Sequence, residues 1–551
     1  MKKVTTMNKA ISKGRLLLAS MAVGAALLLT ATAHAAAPGI AGTTFNLTAQ
    51  EAFITQPDGN MVYSWGYGCN AGYAAVFAPT AIAPPIGGCP TMQVPGPTLI
   101  VSEGAMVTVT LTNHLPASAG NTSILFPGFN VTATGTSPGL LTQEAAPGGT
   151  VTYTFTATTP GTRAYYSGTQ GDLQVEMGLY GAIIVLPTSS SVLSGCTTAQ
   201  SGNASAQLFW GESDFRLATA AYDNAQSCYD REYLFQFSEM DPAIHRQAEE
   251  QVLACNASGA AGCSLHVTTE PYHPAYFMIN GRSMPDDMDP NYAAEYPHQP
   301  YNGDPHMHPG EQVLLRIIGQ GRWQHPFHEH GNHVRVLGRD GNLIVSATDP
   351  TSLAGPLLFT TTTTPGQAMD GIFYWTGRGL NWDAYGHNPT STAANAHPGC
   401  TPDGNGYNTS NTTAINYFEW CQDHNKPLQA TPLGDVARGG PVTLPDPTIF
   451  ANGAWFGGSP YLGPNATTRA TFGNCDTGYP NPSAATPPGC STTGTTPPSG
   501  TIANNPSSEA GFAFMWHSHN EREITTNNIF PGGMMMMMLV DSREFVIDES
   551  N

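Results

Sequence analysis

The sequence predicts an all-β protein made of two similar β-sandwich domains, with a long loop-rich insertion in the second. Three observations lead there. Helix formers are scarce, while Thr, Val, Gly and Pro abound, with 60 Gly and 45 Pro among 551 residues, a composition that favours strands and turns. Short stretches of alternating apolar and polar residues recur between Gly and Pro punctuation, the pattern of half-buried strands. The same order of stretches then occurs twice, which indicates duplication of one unit.

Residues 1–35 are set apart from the fold. Lys2, Lys3, Lys9, Lys13 and Arg15 form a basic leader, an apolar run LLLASMAVGAALLLTATA follows, and Ala33-His34-Ala35 is a small-x-small cleavage site. This is the pattern of a secretory signal peptide, so export to the periplasm or the extracellular space is expected, with no transmembrane anchor after cleavage. Removing five positive charges and no negative ones takes the formal net charge from -20 to -25. A surface this acidic argues against nucleic acid as a partner, because phosphate recognition needs a basic face.

Residues 36–190 form the first domain. It contains VPGPTLIVSEGAMVTVTLTNHLP (94–116), TSILFPGFNV (122–131), APGGTVTYTFTATTPGTRAYYSG (146–168) and MGLYGAIIVLP (177–187). Residues 191–230 are a linker region. Residues 231–545 form the second domain, opening on the strand YLFQFSEMD (233–241). It continues with FMINGRSMPD (277–286), HPGEQVLLRIIGQG (308–321), HPFHEHGNHVRVLGRDG (325–341), PGQAMDGIFYW (365–375) and FMWHSHNEREITTNNIFPGGMMMMMLVD (514–541). In each half a Gly-acid turn precedes one alternating strand, a Pro-Gly turn precedes another, and an apolar strand closes the unit. Between about 376 and 510 the strand pattern fails in a stretch rich in Asn, Thr, Pro and Gly, read as an insertion.

Ten cysteines fall into five sequence-neighbour pairs, Cys69/Cys89, Cys196/Cys228, Cys255/Cys263, Cys400/Cys421 and Cys475/Cys490. No CxxC is present, so structural disulfides in an oxidising compartment are the favoured reading over zinc. The last two pairs would pin the insertion.

The histidines carry most of the functional information. His325, His328, His330 and His333 lie within nine residues, and His517 and His519 form a second close pair. Residues i and i+2 of a strand share a face, so His328/His330 and His517/His519 each present two imidazoles to one side. If the two strands adjoin, four imidazoles converge, a set suited to copper, zinc or iron. The bland alternative, a polar strand edge with solvated histidines, is weaker because two HxH pairs occur. His306-Met307-His308 precedes the strand at 311–318 and could bind metal at a loop, but a lone exposed HxH is more often incidental, which is the expectation here. The run Met534–Met538 is expected to be a core strand rather than a soft Cu(I) site, since alternate Met side chains fill both faces of a sheet. Asp286, Asp287 and Asp289 could attract cations, but an acidic exported protein carries many such groups without specific sites.

At these residues a family resemblance is plain. VPGPTL, HPFHEHG and GTRAYYSG with MGLYGAIIV resemble multicopper oxidase signatures on a cupredoxin fold, over most of residues 45–187 and 277–375 and the closing strands at 511–541. The resemblance implies two cupredoxin-like Greek-key β-sandwich domains. It also implies four histidine motifs, HxH, HxH, HPxHxH and HCHxxxH, holding a type 1 copper and a trinuclear cluster that reduces dioxygen. Here the first motif position reads Leu125-Phe126-Pro127 and the second Tyr166-Ser167-Gly168, neither with histidine. The third is intact as His325-Pro326-Phe327-His328-Glu329-His330. The fourth reads His517-Ser518-His519, with Ser518 in place of cysteine and Glu523 in place of the later histidine.

By resemblance His325 corresponds to a type 1 ligand, and His328, His330, His517 and His519 to trinuclear-cluster ligands. A serine hydroxyl cannot replace the thiolate of a blue copper site, so conventional laccase turnover is not expected. The metal set expected is therefore His325, His328, His330, His517 and His519, with copper as cofactor by resemblance and zinc permitted by imidazole chemistry. Glu521 or Glu523 adds an oxygen ligand if the turn after His519 folds back. Three functions follow: an exported copper-binding protein; a noncanonical copper oxidoreductase acting on a small-molecule reductant or a metal ion such as Mn(II) or Fe(II); and a structural or surface protein with a vestigial site. The partners expected are metal ions, with a homo-oligomer, a trimer, implied by two-domain relatives.

Overall fold

The computed structural model describes residues 37–377 (apart from 85–87, 136 and 202–211), 511–548 and short pieces of 378–510. The expected leader at 1–35, most of the expected insertion and the pairs Cys400/Cys421 and Cys475/Cys490 lie outside the described residues. The other three pairs are bonded: Cys69–Cys89, Cys196–Cys228 and Cys255–Cys263.

The protein is mostly β. One sheet of the first sandwich runs in the order Met61–Cys69, Thr44–Thr55, Met106–Asn113, Thr150–Thr156, Thr132–Gly135; its partner runs Gly161–Tyr166, Tyr180–Leu186, Leu99–Ser102, Gly39–Ala41, Phe77–Ala78. Alternation does the sorting. In Met106–Asn113 the apolar Val107, Val109 and Leu111 are fully buried while the intervening Met106, Thr108 and Thr110 face outward. They meet Leu99, Ile183 and Val185 of the opposite sheet in one core with Trp65, Tyr153 and Tyr165. Burying such side chains contributes roughly 1.5–3 kcal/mol apiece.

The second sandwich repeats the plan. Its first sheet runs Tyr276–Ile279, Arg231–Met240, Gln312–Gly319, Ala368–Tyr374, Val334–Arg339, and its second His306–Met307, Met535–Asp541, Gly511–Ser518, His325–Glu329, Thr360–Thr363. In both sandwiches an early strand (Thr44–Thr55 in one, Arg231–Met240 in the other) pairs in parallel with the strand after the Gly-acid turn, and the closing strand pairs in parallel with a short earlier one. Duplicated order in sequence is thus duplicated topology in space. Met534, Met536 and Met538 sit fully buried in the second core, beside Trp516 and Phe514.

The two sandwiches are joined by buried polar bonds as well as apolar contact. Asp370 accepts from the Thr162 amide (3.0 Å) and hydroxyl (2.6 Å) across the interface and from the Tyr222 hydroxyl (2.6 Å). The turn Asn280-Gly281 comes so close to the first domain that a Cβ at Gly281 would stand 2.1 Å from the Val94 carbonyl oxygen. With φ at +82° as well, only glycine is accommodated there.

The helix Pro242–Ser258 follows the first strand of domain two but buries Ile244, Ala248 and Val252 in the first domain's core. Asp241 caps it by accepting from the Ala243 amide (2.9 Å), with proline at its first position and Gly259 in the left-handed conformation at its end. Among the described residues no helix is long and apolar enough to cross a membrane.

Candidate functional site

The site is built on one antiparallel strand pair. His325–Glu329 lies against Gly511–Ser518 with Phe327 opposite Ser518, His328 opposite His517 and Glu329 opposite Trp516. Register and the period of two then divide the side chains. Phe327 and Trp516 are fully buried and mark the inner face, which they share with His325, Glu329 and Ser518. His328 and His517 take the other face, and His330 and His519 continue it just past the strand ends.

On that face the four rings come together. Centroids are 4.8 Å apart for His328 and His330, 4.9 Å for His328 and His519, 5.6 Å for His328 and His517, 5.2 Å for His330 and His517, and 5.6 Å for His517 and His519. Nε2 of His517 faces Nε2 of His330 at 3.3 Å. His328 and His517 are buried, His330 is half-buried and His519 is exposed, so the set is open on one side. As they stand, no three His, Cys, Asp or Glu side chains among the described residues are disposed to hold a metal ion.

Electrostatics keep His328 and His517 neutral. Burial, and then the neighbouring imidazoles of His330, His519 and His517, push the His328 pKa down from 6.5 to about 4. Burial also lowers that of His517. Nδ1 of His517 lies 2.7 Å from the Ser518 carbonyl oxygen. A carbonyl only accepts, so Nδ1 carries the proton and Nε2 keeps its lone pair, the tautomer a metal ligand needs. Nδ1 of His328 bonds the Thr360 hydroxyl at 2.7 Å, which fixes that ring too.

His325, expected with them, does not join the four rings. It is fully buried on the inner face, with Nδ1 at 2.9 Å from a Glu523 oxygen and Nε2 at 2.8 Å from a Glu239 oxygen. Burial alone would lower its pKa, but the two carboxylates outweigh it and raise it to about 9. A ring with both nitrogens committed to carboxylates has no lone pair to offer. Glu523 likewise turns inward to His325 and Ser518 rather than toward the four rings, and Glu521 is exposed. Glu239 was missed from the sequence; it stands in the strand Arg231–Met240, which mixes polar and apolar residues and every residue of which is buried.

In the first domain the two motif positions also adjoin: Leu125 pairs with Tyr166, and Gly168 lies against the Leu125 side chain. Phe126 packs among Tyr153, Phe155 and Tyr165, and Ser167 bonds Gln174 at 2.7 Å, so these positions are filled by core packing and a neutral hydrogen bond.

The expectation of an exposed, incidental His306-Met307-His308 is overturned. Both histidines are buried, His306 between Asp541 (2.7 Å) and Asp304 (3.4 Å), His308 against Glu212 (3.0 Å) and the Asp541 carbonyl (3.1 Å). Met307 points the other way into the core. Asp287 is also fully buried.

Two family models described as multicopper oxidase match residues 91–190 and 268–369. Laccase abr2 of Aspergillus fumigatus is 38% identical over 98 residues, which is 17% of this chain and 16% of that one. The chain therefore aligns with well under a quarter of that relative's length. The blue copper oxidase of Nitrosomonas europaea superposes with a TM-score of 0.42 at 14% identity, over 90% of this chain and 85% of that chain. Fet3p, a multicopper oxidase that functions in iron import, gives 0.37 at 20% identity over 61% and 46%.

Proposed function

We propose that this chain, which belongs to the multicopper oxidase family, is an exported copper-binding protein whose reduced site is the four-imidazole set His328, His330, His517 and His519. The observation that carries this reading is the meeting of four rings across one strand pair, with His517 in the neutral tautomer whose Nε2 lone pair is turned toward His330. The residues fit the softer first-row cations, for which imidazole is a preferred donor, and the family implies copper among them. Copper bound there supplies a one-electron couple, or an ion to be stored and handed on.

This chain's own part is to hold His328 and His517 neutral and oriented, with the set open on the side of His519. Thr360 and the Ser518 carbonyl fix two ring orientations, and the open side at His519 leaves a route for an ion to enter and leave. Laccase-type turnover is not part of the proposal. Serine stands at the thiolate position, and Leu125-Phe126-Pro127 and Tyr166-Ser167-Gly168 supply no imidazole from the first domain. The leader at 1–35 and the three bonded cysteine pairs support export.

The test is metal content per chain, with absorption and EPR spectra, on protein purified from its export compartment. About one copper per chain, EPR-visible and without intense blue colour, is the expected result. No bound copper after loading would sink the reading, and stoichiometric zinc would replace copper and remove the redox element.

A further inference from the structure

The inner face of the same strand pair holds the position where a type 1 copper sits by resemblance, and its residues do not fit that ion. Ser518 offers a hydroxyl where a thiolate is needed. The nitrogens of His325 face carboxylates on opposite sides of the ring, so Glu239 and Glu523 cannot close on one ion together with it.

What they form instead is a continuous hydrogen-bonded chain. Ser518 Oγ donates to Glu523 Oε2, which accepts also from His325 Nδ1. His325 Nε2 donates to Glu239 Oε2, and Glu239 Oε1 accepts from the Arg322 and Trp323 amides at 2.7 and 2.9 Å. The Tyr272 hydroxyl then links Glu239 (3.2 Å) to Glu176 (2.7 Å) of the first domain. Proton counting gives the chain a direction. Carboxylates only accept, so each bridge to His325 requires a proton on the ring, and the ring is an imidazolium between two anions. At the far end the Tyr272 hydroxyl donates to Glu176, whose carboxyl pKa burial raises to about 8.

The near end of this chain bears on the imidazoles. Ser518 is the residue between His517 and His519. Its Oγ accepts from the Asn520 amide (3.2 Å), while the Asn520 side chain donates to Glu523 Oε1 (2.8 Å). Glu523 thereby closes the turn 519–523 onto Ser518. His519, itself exposed, is tied down by its amide to the Pro326 carbonyl (2.8 Å) and by this turn.

We propose that Ser518, Glu523 and His325 are positioning residues: an ion-paired chain in the vacated type 1 position fixes the turn that sets where His517 and His519 stand. The proposal rests on the four-imidazole reading for its functional meaning, and its structural half can be tested without metal. In the metal-free full-length protein, amide exchange over 519–524 should accelerate about tenfold in Ser518→Ala and in Glu523→Gln, the scale of one charge-assisted hydrogen bond. Ser518→Thr, which keeps the hydroxyl, should restore protection. Unchanged exchange in both variants overturns the proposal.

In the second arm, copper titration with EPR should show about tenfold weaker binding and altered copper hyperfine splitting in Ser518→Ala at an unchanged melting temperature. Affinity and spectrum identical to the parent also overturn it. If the parent binds no copper, the copper-binding function fails while the exchange arm still decides the positioning chain. Glu523→Gln serves as the second variant should Ser518→Ala fold poorly.

Discussion

His328 and His517 stand directly opposite each other across two antiparallel strands, their ring centroids 5.6 Å apart and both on the outer face of the sheet. Cross-strand neighbours in a sheet are this close by construction. The remaining two rings, one residue beyond each strand's end, then complete a group of four without further machinery. Truncating ligands from both strands removes half the donors while deleting no core residue. His328→Ala combined with His519→Ala should therefore reduce bound copper below about a tenth of an equivalent per chain, with circular dichroism and the melting temperature nearly unchanged. Copper content equal to the parent's would show that the ion sits elsewhere.

The inner face leads to a prediction about colour. Ser518→Cys alone supplies a thiol, yet Glu523 still holds Nδ1 of His325. No intense thiolate-to-copper absorption should develop on copper loading. Adding Glu523→His frees that nitrogen and contributes a second imidazole, so the double variant should turn blue. Blue colour in the single variant would contradict the arrangement of His325 described above.

Stability should depend on pH through His306. Burial alone would lower its pKa, but Asp304 and Asp541 outweigh burial and raise it from 6.5 to about 10. The native state thus binds this proton more tightly than the unfolded chain. Its contribution is fully present below about pH 6.5 and is lost as pH rises toward about 10. Calorimetry should show the melting temperature falling across that window. His306→Asn should flatten the slope while lowering the melting temperature at neutral pH, since it leaves Asp541 buried without its cation. A parent profile flat from pH 7 to about 10 would refute the ion pair.

Asp370 is expected to matter far more than a surface acid. It takes two bonds from Thr162 across the domain interface and one from Tyr222, and lies 3.7 Å from the fully buried Arg316. Asp370→Ala strands those donors and should cost about 3–5 kcal/mol, read as a lower denaturation midpoint. A change under about 1 kcal/mol would show that Glu232, which also binds Arg316 at 2.8 Å, satisfies the site alone.

What the sequence by itself determined was everything that depends on local periodicity. Alternation marked the strands, repetition marked the duplicated sandwich, and the i, i+2 rule placed His328 with His330 and His517 with His519. The same rule, applied from Phe327 and Trp516 as buried anchors, already separates His325 from them, because an odd spacing puts it on the other face. What only the tertiary structure decided was which partners wait on that inner face. Glu239 lies 86 residues from His325 and Glu523 lies 198 residues from it, and His306 meets Asp541 across 235. No periodicity links residues so far apart. Their pairing follows from strand order and register across the whole domain, and a buried charge or imidazole takes its protonation and its role from whichever group that packing brings to it.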